Sequence, residues 1–152
     1  MICAYCGKNG RSTREHIISS GILDLFPECY LTFDEKRKTV YSSDPVINDV
    51  CDICNNTKLS YIDSYAKSFI GNYFVKNYNA DDSIEIIYDY TLVQKMCSKY
   101  AYNDLRANND NDASFFDSEL TNWILNESTN NSVRNITILR VKSIKKLECS
   151  SR

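Results

Sequence analysis

Several things are scarce in this sequence, and each shortage excludes a class of protein. Only four of the 152 residues are glycine and two are proline, which excludes collagen. No apolar run approaches the ~20 residues of a transmembrane helix, so we expect no membrane association. The first residues lack the basic-then-apolar pattern of a secretion signal, which favours a cytoplasmic protein. Acidic residues (20) outnumber Lys and Arg (18), which argues against a generally basic nucleic-acid binder.

Histidine is rarer still, because His16 is the only one. Tyrosine (11) and phenylalanine (6) are abundant, so we expect a folded chain with a packed core. Charge is unevenly distributed: residues 81–119 carry nine acids against three bases, whereas residues 134–152 carry six bases against one acid. An anionic partner must therefore be met locally or with the help of a metal ion.

Cysteine is plentiful, and its spacing indicates a metal site. Four of the seven cysteines form two Cys-x-x-Cys pairs, Cys3 with Cys6 and Cys51 with Cys54. Two such pairs can complete a closed tetrahedral shell around one Zn²⁺. An odd number of cysteines also fits a reducing compartment better than a disulfide framework. We therefore expect a structural zinc ion, the alternative being four thiols packed in the core. Cys97, on an apolar helical face, is expected in the core.

Hydrophobic periodicity predicts short strands in the first third of the chain and helices after the second cysteine pair. The clearest helix has an apolar face of residues three and four positions apart, namely Leu59, Ile62, Ala66, Phe69, Ile70, Tyr73 and Phe74. Asn55 and Asn56 stand at its start as candidate N-caps. Helical segments are also expected at about 19–26, 89–107 and 115–125, and strands at 29–33, 39–42, 84–88 and 133–141.

These elements predict an α+β fold in two parts. Residues 1–78 would form a core stapled by the four-cysteine zinc site, and residues 79–152 a mainly helical α+β extension. The aromatic residues of the extension suit either a core or a protein interface. The extension is therefore a candidate region for docking a protein partner or for homo-oligomerisation.

Candidate catalytic residues meet where the two cysteine pairs converge. If one zinc ion joins the pairs, Glu15 and His16 lie beside the start of the long helix, near Asn55 and Asn56. A carboxylate and an amide oxygen are hard ligands suited to Mg²⁺ or Mn²⁺. A neutral imidazole beside them can accept a proton from water. Phosphodiester hydrolysis needs this combination of an oriented base and a metal ion.

Separate motifs occur in order over about residues 1–70: Cys-x-x-Cys, then Arg-Glu-His-Ile at 14–17, Val-Cys-x-x-Cys-Asn-Asn at 50–56 and Leu-Ser-x-Ile-Asp at 59–63. They resemble the zinc-knuckle branch of the HNH endonucleases, which have the ββα-metal fold. The resemblance implies that Glu15 binds a divalent metal ion, that His16 activates water and that Asn55 is the second metal ligand. It also implies an Asn that braces the loop under the catalytic His. Val46 occupies that position here, and Asn48 is the nearest candidate but is out of register.

The same resemblance implies an endonuclease that acts on DNA, with RNA left open as a substrate. Many small proteins of this kind resemble components of bacterial or phage conflict systems, which suggests a role in defence. Beside such a site the natural phosphate contacts are the local basic residues, namely Arg11, Arg14, Lys36, Arg37 and Lys58. Because the whole chain is slightly acidic, we expect weak intrinsic affinity and a need for a partner.

A non-catalytic alternative stays open, namely a zinc-knuckle adaptor that binds nucleic acid or protein. In that case Glu15 pairs with a nearby arginine on the surface and Asn55 only caps a helix. Asp63 is expected to be structural or solvated under either hypothesis. Arg106 ends a helix rich in Tyr and Asn, which gives it a claim to an internal partner.

Overall fold

The chain is a mixed α+β protein, as predicted. The computed structural model describes residues 1–27, 32–34, 38–41 and 44–128. Its strands and helices are β1 (Ser12–His16), α1 (Ser20–Leu23), β2 (Thr32–Asp34), β3 (Thr39–Tyr41), β4 (Val46–Cys51), a π-helical turn (Cys54–Lys58), α2 (Ser60–Tyr73), α3 (Tyr90–Ala107), a 3₁₀ turn (Asn111–Phe115) and α4 (Ser118–Leu125). Among the described residues, no helix is both long and apolar enough to span a bilayer.

Strands β1 and β4 form the antiparallel pair that carries both candidate sites. Ser12 lies opposite Cys51 at one end of the pair, and His16 lies opposite Val46 at the other end. The register shifts between Thr13 and Glu15, where β4 contributes one residue more than β1. Such a bulge bends a strand and re-aims its side chains. Strands β2 and β3 form a separate two-stranded antiparallel sheet.

Helix α2 confirms the predicted helix, but only its first half is buried. Leu59, Ile62 and Ala66 are fully buried, whereas Phe74 at the far end is 55% exposed. The expected asparagine cap is wrong: Leu59 is the N-cap, and no side chain caps the helix. The π-helical turn comes before α2 and removes Asn55 from the cap position.

Helix α3 packs into the same core as the N-terminal half. Its residues Met96 and Tyr102 are buried in one hydrophobic cluster with α4 and with the cysteine-rich segments. An aspartate caps α3, and another caps α4. The side chain of Asp89 accepts a hydrogen bond from the Leu92 amide in α3, and the side chain of Asp117 accepts one from the Leu120 amide in α4. The predicted helix at 115–125 begins later, at Ser118, because residues 111–115 form the 3₁₀ turn.

Two further expectations differ from the structure. Residues 84–88 pair with no strand of the described chain. The hydroxyl of Tyr73 instead lies 3.2 Å from both the backbone nitrogen and the carbonyl oxygen of Ile87, and satisfies them in place of a neighbouring strand. Cys97 is exposed and does not belong to the core. The predicted strand at 133–141 and the candidate phosphate contacts Lys36 and Arg37 lie outside the described residues.

Candidate functional site

The two Cys-x-x-Cys pairs come together in a cysteine cluster (Cys3, Cys6, Cys51 and Cys54). Their sulfur atoms all lie within 4.8 Å of one another, and Cys6 Sγ is 3.9 Å from Cys51 Sγ. Four sulfurs at ~2.3 Å from a tetrahedral zinc ion would be about 3.8 Å apart. The cluster therefore fits the predicted structural metal ion and can hold one such as zinc.

Backbone packing shapes the cluster. Gly7 has a φ of +66°, which a glycine adopts without strain, and its amide donates to the carbonyl of Cys3 to close the first turn. Gly10 lies directly against the second pair: a Cβ at this position would lie 2.7 Å from the Cβ of Cys51. Gly10 thus lets the first cysteine loop approach the end of β4 closely.

The four thiols differ in how easily they ionise. Burial works to raise the pKa of Cys3, but backbone N–H groups of Cys51, Cys6 and Tyr5 stabilise its thiolate and lower that pKa to about 7. Burial raises the pKa of Cys51 and of Cys54. Because a metal ion binds thiolates, its binding must release protons from this cluster.

Beyond the cluster, a polar cleft of about 370 Å³ lies at the His16 end of the β1–β4 pair. It is lined by Glu15, His16, Ser19, Ser20, Gly21, Asn55, Asn56, Ser60, Asp63, Ser64, Lys67 and Lys99. The three predicted catalytic residues, Glu15, His16 and Asn55, thus face one cavity. The strand pair places the first two there, and the turn after Cys54 places the third.

Glu15 is buried, and its partner is a lysine from α3. Lys99 Nζ lies 2.9 Å from Glu15 Oε1 and 2.7 Å from Asp63 Oδ2. The side-chain amide of Asn103 also donates to Glu15 Oε1, at 3.1 Å. The alternative pairing of Glu15 with a surface arginine is therefore wrong, and Asp63 has the structural role that was one of its two expected roles. A buried carboxylate needs a compensating cation, and Lys99 supplies it.

His16 ends β1 with its imidazole half-buried at the cleft, its side chain 35% exposed. Its Nδ1 lies 3.7 Å from Asp44 Oδ2, beyond hydrogen-bond distance, and makes no hydrogen bond within the described chain. Its backbone carbonyl accepts a hydrogen bond from Asn103, at 3.0 Å. The imidazole thus lines the cleft with its Nδ1 buried and unpartnered among the described residues, while the backbone beneath it is held.

Asn55 is tied to β1 through its nitrogen. Its Nδ2 donates to Thr13 Oγ1 at 2.9 Å and to the carbonyl of Arg14 at 3.2 Å. These bonds use both amide hydrogens, so the oxygen Oδ1 is the atom left to accept a hydrogen bond or to bind a metal ion. Asn55, which the π-helical turn removes from the cap position of α2, is thus held against β1 instead.

The three predicted phosphate contacts that fall within the described residues do not line the cleft. Arg11, Arg14 and Lys58 are exposed, and none of them lines the cleft. Arg11 lies 4.0 Å from Asp52, a distance typical of a weak surface ion pair. The exposed lysine that does line the cleft is Lys67, which was not among the predicted contacts.

A helical pattern could have identified some of the missed residues. Ser60, Asp63, Ser64 and Lys67 are spaced at i, i+3, i+4 and i+7, which places them on one polar face of α2 toward the cleft. Lys99, Asn103 and Arg106 follow the same spacing on α3. Nothing local indicates that this second face meets Glu15, which lies more than 80 residues earlier in the chain.

Arg106 has the internal partner that was expected. Its Nε donates to Asp49 Oδ2 at 2.9 Å, and its guanidinium lies 3.8 Å from the centre of the Tyr102 ring. The cysteine cluster, the cleft and this α3 face are thus in mutual contact. No family model, curated protein or solved structure matches the chain, so its function must be argued from these residues.

Proposed function

We propose that the chain is a divalent-metal-dependent endonuclease of the HNH type, which hydrolyses phosphodiester bonds in DNA. The observation that carries the proposal is the convergence of Glu15, His16 and Asn55 on one cleft beside the cysteine cluster. An antiparallel strand pair followed by a helix, β1–β4 and then α2, is also the arrangement expected of a ββα-metal core. The sequence motifs and the geometry therefore support the same reaction.

His16 is the proposed general base. Its imidazole reaches the cleft, and it is the only histidine of the chain. In hydrolysis the water oxygen forms a bond to phosphorus while the bond from phosphorus to the leaving ester oxygen breaks. His16 accepts the proton of the attacking water, and solvent returns a proton to the leaving oxygen. Asp44 Oδ2, 3.7 Å from Nδ1, is placed to stabilise the imidazolium that forms.

Glu15 and Asn55 fit a divalent ion by their donor chemistry. The Asn55 amide presents its oxygen, since its nitrogen is bonded to β1. Lys99 and Asn103 both contact Glu15 through Oε1, so Oε2 is the oxygen with which Glu15 would bind the ion. Carboxylate and amide oxygens suit Mg²⁺ and Mn²⁺. When bound, the ion would stabilise the negative charge that develops on the phosphate and on the leaving oxygen.

Substrate binding is expected to depend on few contacts. Lys67 is the exposed cation that lines the cleft, and Arg14 is exposed on β1 two residues before His16. With so few cations and a net charge of −2, affinity for DNA should be low and sensitive to salt. If residues 79–152 dock a protein partner, that partner would compensate for the low affinity by bringing the chain to its DNA substrate.

A plasmid-nicking assay with Mg²⁺ or Mn²⁺ tests the proposal, with an RNA substrate run in parallel. Wild type should convert supercoiled plasmid to nicked or linear forms, and EDTA should prevent it. His16→Ala should lose at least ~100-fold in rate, a typical loss for removal of a general base. Cys97→Ser, which changes an exposed thiol outside the cluster, is the matched control and should cleave like wild type.

One observation favours the alternative, a non-catalytic zinc adaptor. Glu15 already has two partners in Lys99 and Asn103, as a purely structural carboxylate would. An adaptor should keep its fold and its bound zinc and yet cleave neither DNA nor RNA with any divalent ion. That result for wild type would replace the nuclease proposal with the adaptor.

A further inference from the structure

We propose that Asn103, near the end of α3, is a positioning residue that fixes the strand end carrying His16. The catalytic consequence of this inference rests on the proposed nuclease function, but its structural part does not. Asn103 is completely buried, although it is polar and lies 87 residues after His16 in the chain. It is not one of the residues that line the cleft, so it acts through others.

All four hydrogen-bonding positions of the Asn103 side chain are used. Its Nδ2 donates to Glu15 Oε1 at 3.1 Å and to the His16 carbonyl at 3.0 Å. Its Oδ1 accepts from the Tyr5 hydroxyl at 2.7 Å and from Arg106 Nη2 at 3.0 Å. A planar amide with four partners has a single orientation. Breaking any of these bonds would leave a buried donor or acceptor without a partner, which costs stability.

These bonds join three parts of the molecule. Tyr5 lies between the cysteines of the first pair, Glu15 and His16 end β1, and Arg106 is one turn further along α3. The amide therefore connects the cysteine loop to the end of the strand.

The imidazole of His16 has no hydrogen bond at Nδ1 within the described chain to hold it, and its charged neighbour Asp44 lies 3.7 Å away, so its position depends on the backbone beneath it. On the other side of the strand end, β4 supplies the pairing with Val46, and Pro45 accepts a hydrogen bond from the Ile17 amide at 3.0 Å. The side-chain amide of Asn103 holds the His16 carbonyl, which lies in the chain between these two contacts. The direction in which the imidazole projects is thus set through the backbone, from both sides.

The test compares two sides of the same amide. Asn103→Asp keeps the size and the oxygen that accepts from Tyr5 and Arg106, but it loses the NH₂ group that donates to Glu15 and His16. Tyr5→Phe is the matched control, because it removes one hydrogen bond from the acceptor side and leaves the donor side intact. Both variants change the buried network, so a merely structural role would affect them alike.

Two measurements are made on folded, zinc-loaded protein. In the nicking assay Asn103→Asp should lower kcat by ~100-fold, the scale expected when a catalytic group is misplaced, with KM changed by less than about threefold. Tyr5→Phe should stay within about threefold of wild type in both. In NMR spectra at a fixed pH, the imidazole signals of the single histidine should move or split in Asn103→Asp and stay in place in Tyr5→Phe.

The outcomes separate this inference from the proposed function. If wild type does not cleave, the nuclease proposal fails, and the imidazole signals still decide the role of Asn103. A folded Asn103→Asp protein with wild-type imidazole signals overturns the inference, as does one that cleaves like Tyr5→Phe. If Asn103→Asp does not fold, Asn103→Ala takes its place. If neither folds, the Asn103 side-chain NH₂ of wild type is measured: slow hydrogen exchange supports the bracing, and exchange at the rate of a free amide contradicts it.

Discussion

The cysteine cluster and the cleft lie side by side along the β1–β4 pair, and their charge is balanced in different ways. The cluster brings four thiols within 4.8 Å of one another, where they could hold a metal ion such as zinc from outside the chain. The cleft brings together Glu15 and Asp63, and the chain supplies the cation itself as Lys99. The difference teaches that one site should depend on metal for its fold, whereas the other should fold without it.

The largest expected effect on folding comes from a substitution in the cysteine cluster. Cys51→Ser removes one of four sulfurs and should unfold or aggregate the protein, since binding free energy of a structural zinc ion is also folding free energy. Circular dichroism and zinc content measure this. Cys97→Ser is the control and should keep both. A Cys51→Ser protein that is folded without metal would contradict the role of the cluster as a metal-dependent staple.

A smaller effect is expected at the charge pair of the cleft. Lys99→Met leaves two carboxylates without their cation and should lower the free energy of unfolding by about 3–5 kcal/mol. Lys95→Met is the matched control, one turn earlier on α3: Lys95 is equally buried, but its Nζ donates to the backbone carbonyls of Asn126 and Ser128. We expect it to cost only about 1–3 kcal/mol, because no carboxylate is left unpaired.

Denaturant unfolding of both variants measures the difference. The double variant Glu15→Gln with Lys99→Met should recover part of the loss, since it removes a charge that the single change leaves unpaired. Equal losses in Lys99→Met and Lys95→Met would show that the carboxylates of the cleft do not need the lysine. The contrast between the two sites would then be wrong.

The smallest expected effect on stability comes from removing the hydroxyl of Tyr5, which lies between the two sites. Burial raises the pKa of Tyr5 well above 10, so the folded state keeps a proton that the unfolded state loses. The stability that this difference provides is complete below about pH 10 and is lost as the pH rises further. Tyr5→Phe should therefore cost about 1 kcal/mol near neutral pH and make stability fall less steeply above pH ~10. Melting temperatures of both proteins across that range check this, and identical slopes would contradict it.

The local features of the molecule could be predicted from the sequence, because they follow from spacing. Two Cys-x-x-Cys pairs predict the cluster and the apolar period predicts α2, since the spacing within each pair and along the helix involves residues only a few positions apart. The proximity of Glu15, His16 and Asn55 follows from the expectation that one metal ion joins the two cysteine pairs. The structure places these three residues in such a cleft.

The rest could not be predicted, because it depends on how α3 packs. The apolar period of α3 predicts only which of its residues enter the core, whereas Lys99 and Asn103 contact Glu15 and the cysteine loop from its polar face. Residues 84–88 have the composition of a strand, but the hydroxyl of Tyr73 takes the place of a neighbouring strand at Ile87. Tertiary contacts thus decided what local preference left open.

Anomalous scattering from crystals grown with Mn²⁺ tests the central claim most directly. At the zinc edge, one peak should lie among the sulfurs of Cys3, Cys6, Cys51 and Cys54. At an energy where manganese scatters, a second peak should lie in the cleft between Glu15 and the amide oxygen of Asn55, near the imidazole of His16. A crystal with the sulfur-bound peak and no manganese in the cleft, or with manganese bound only elsewhere, would contradict the account.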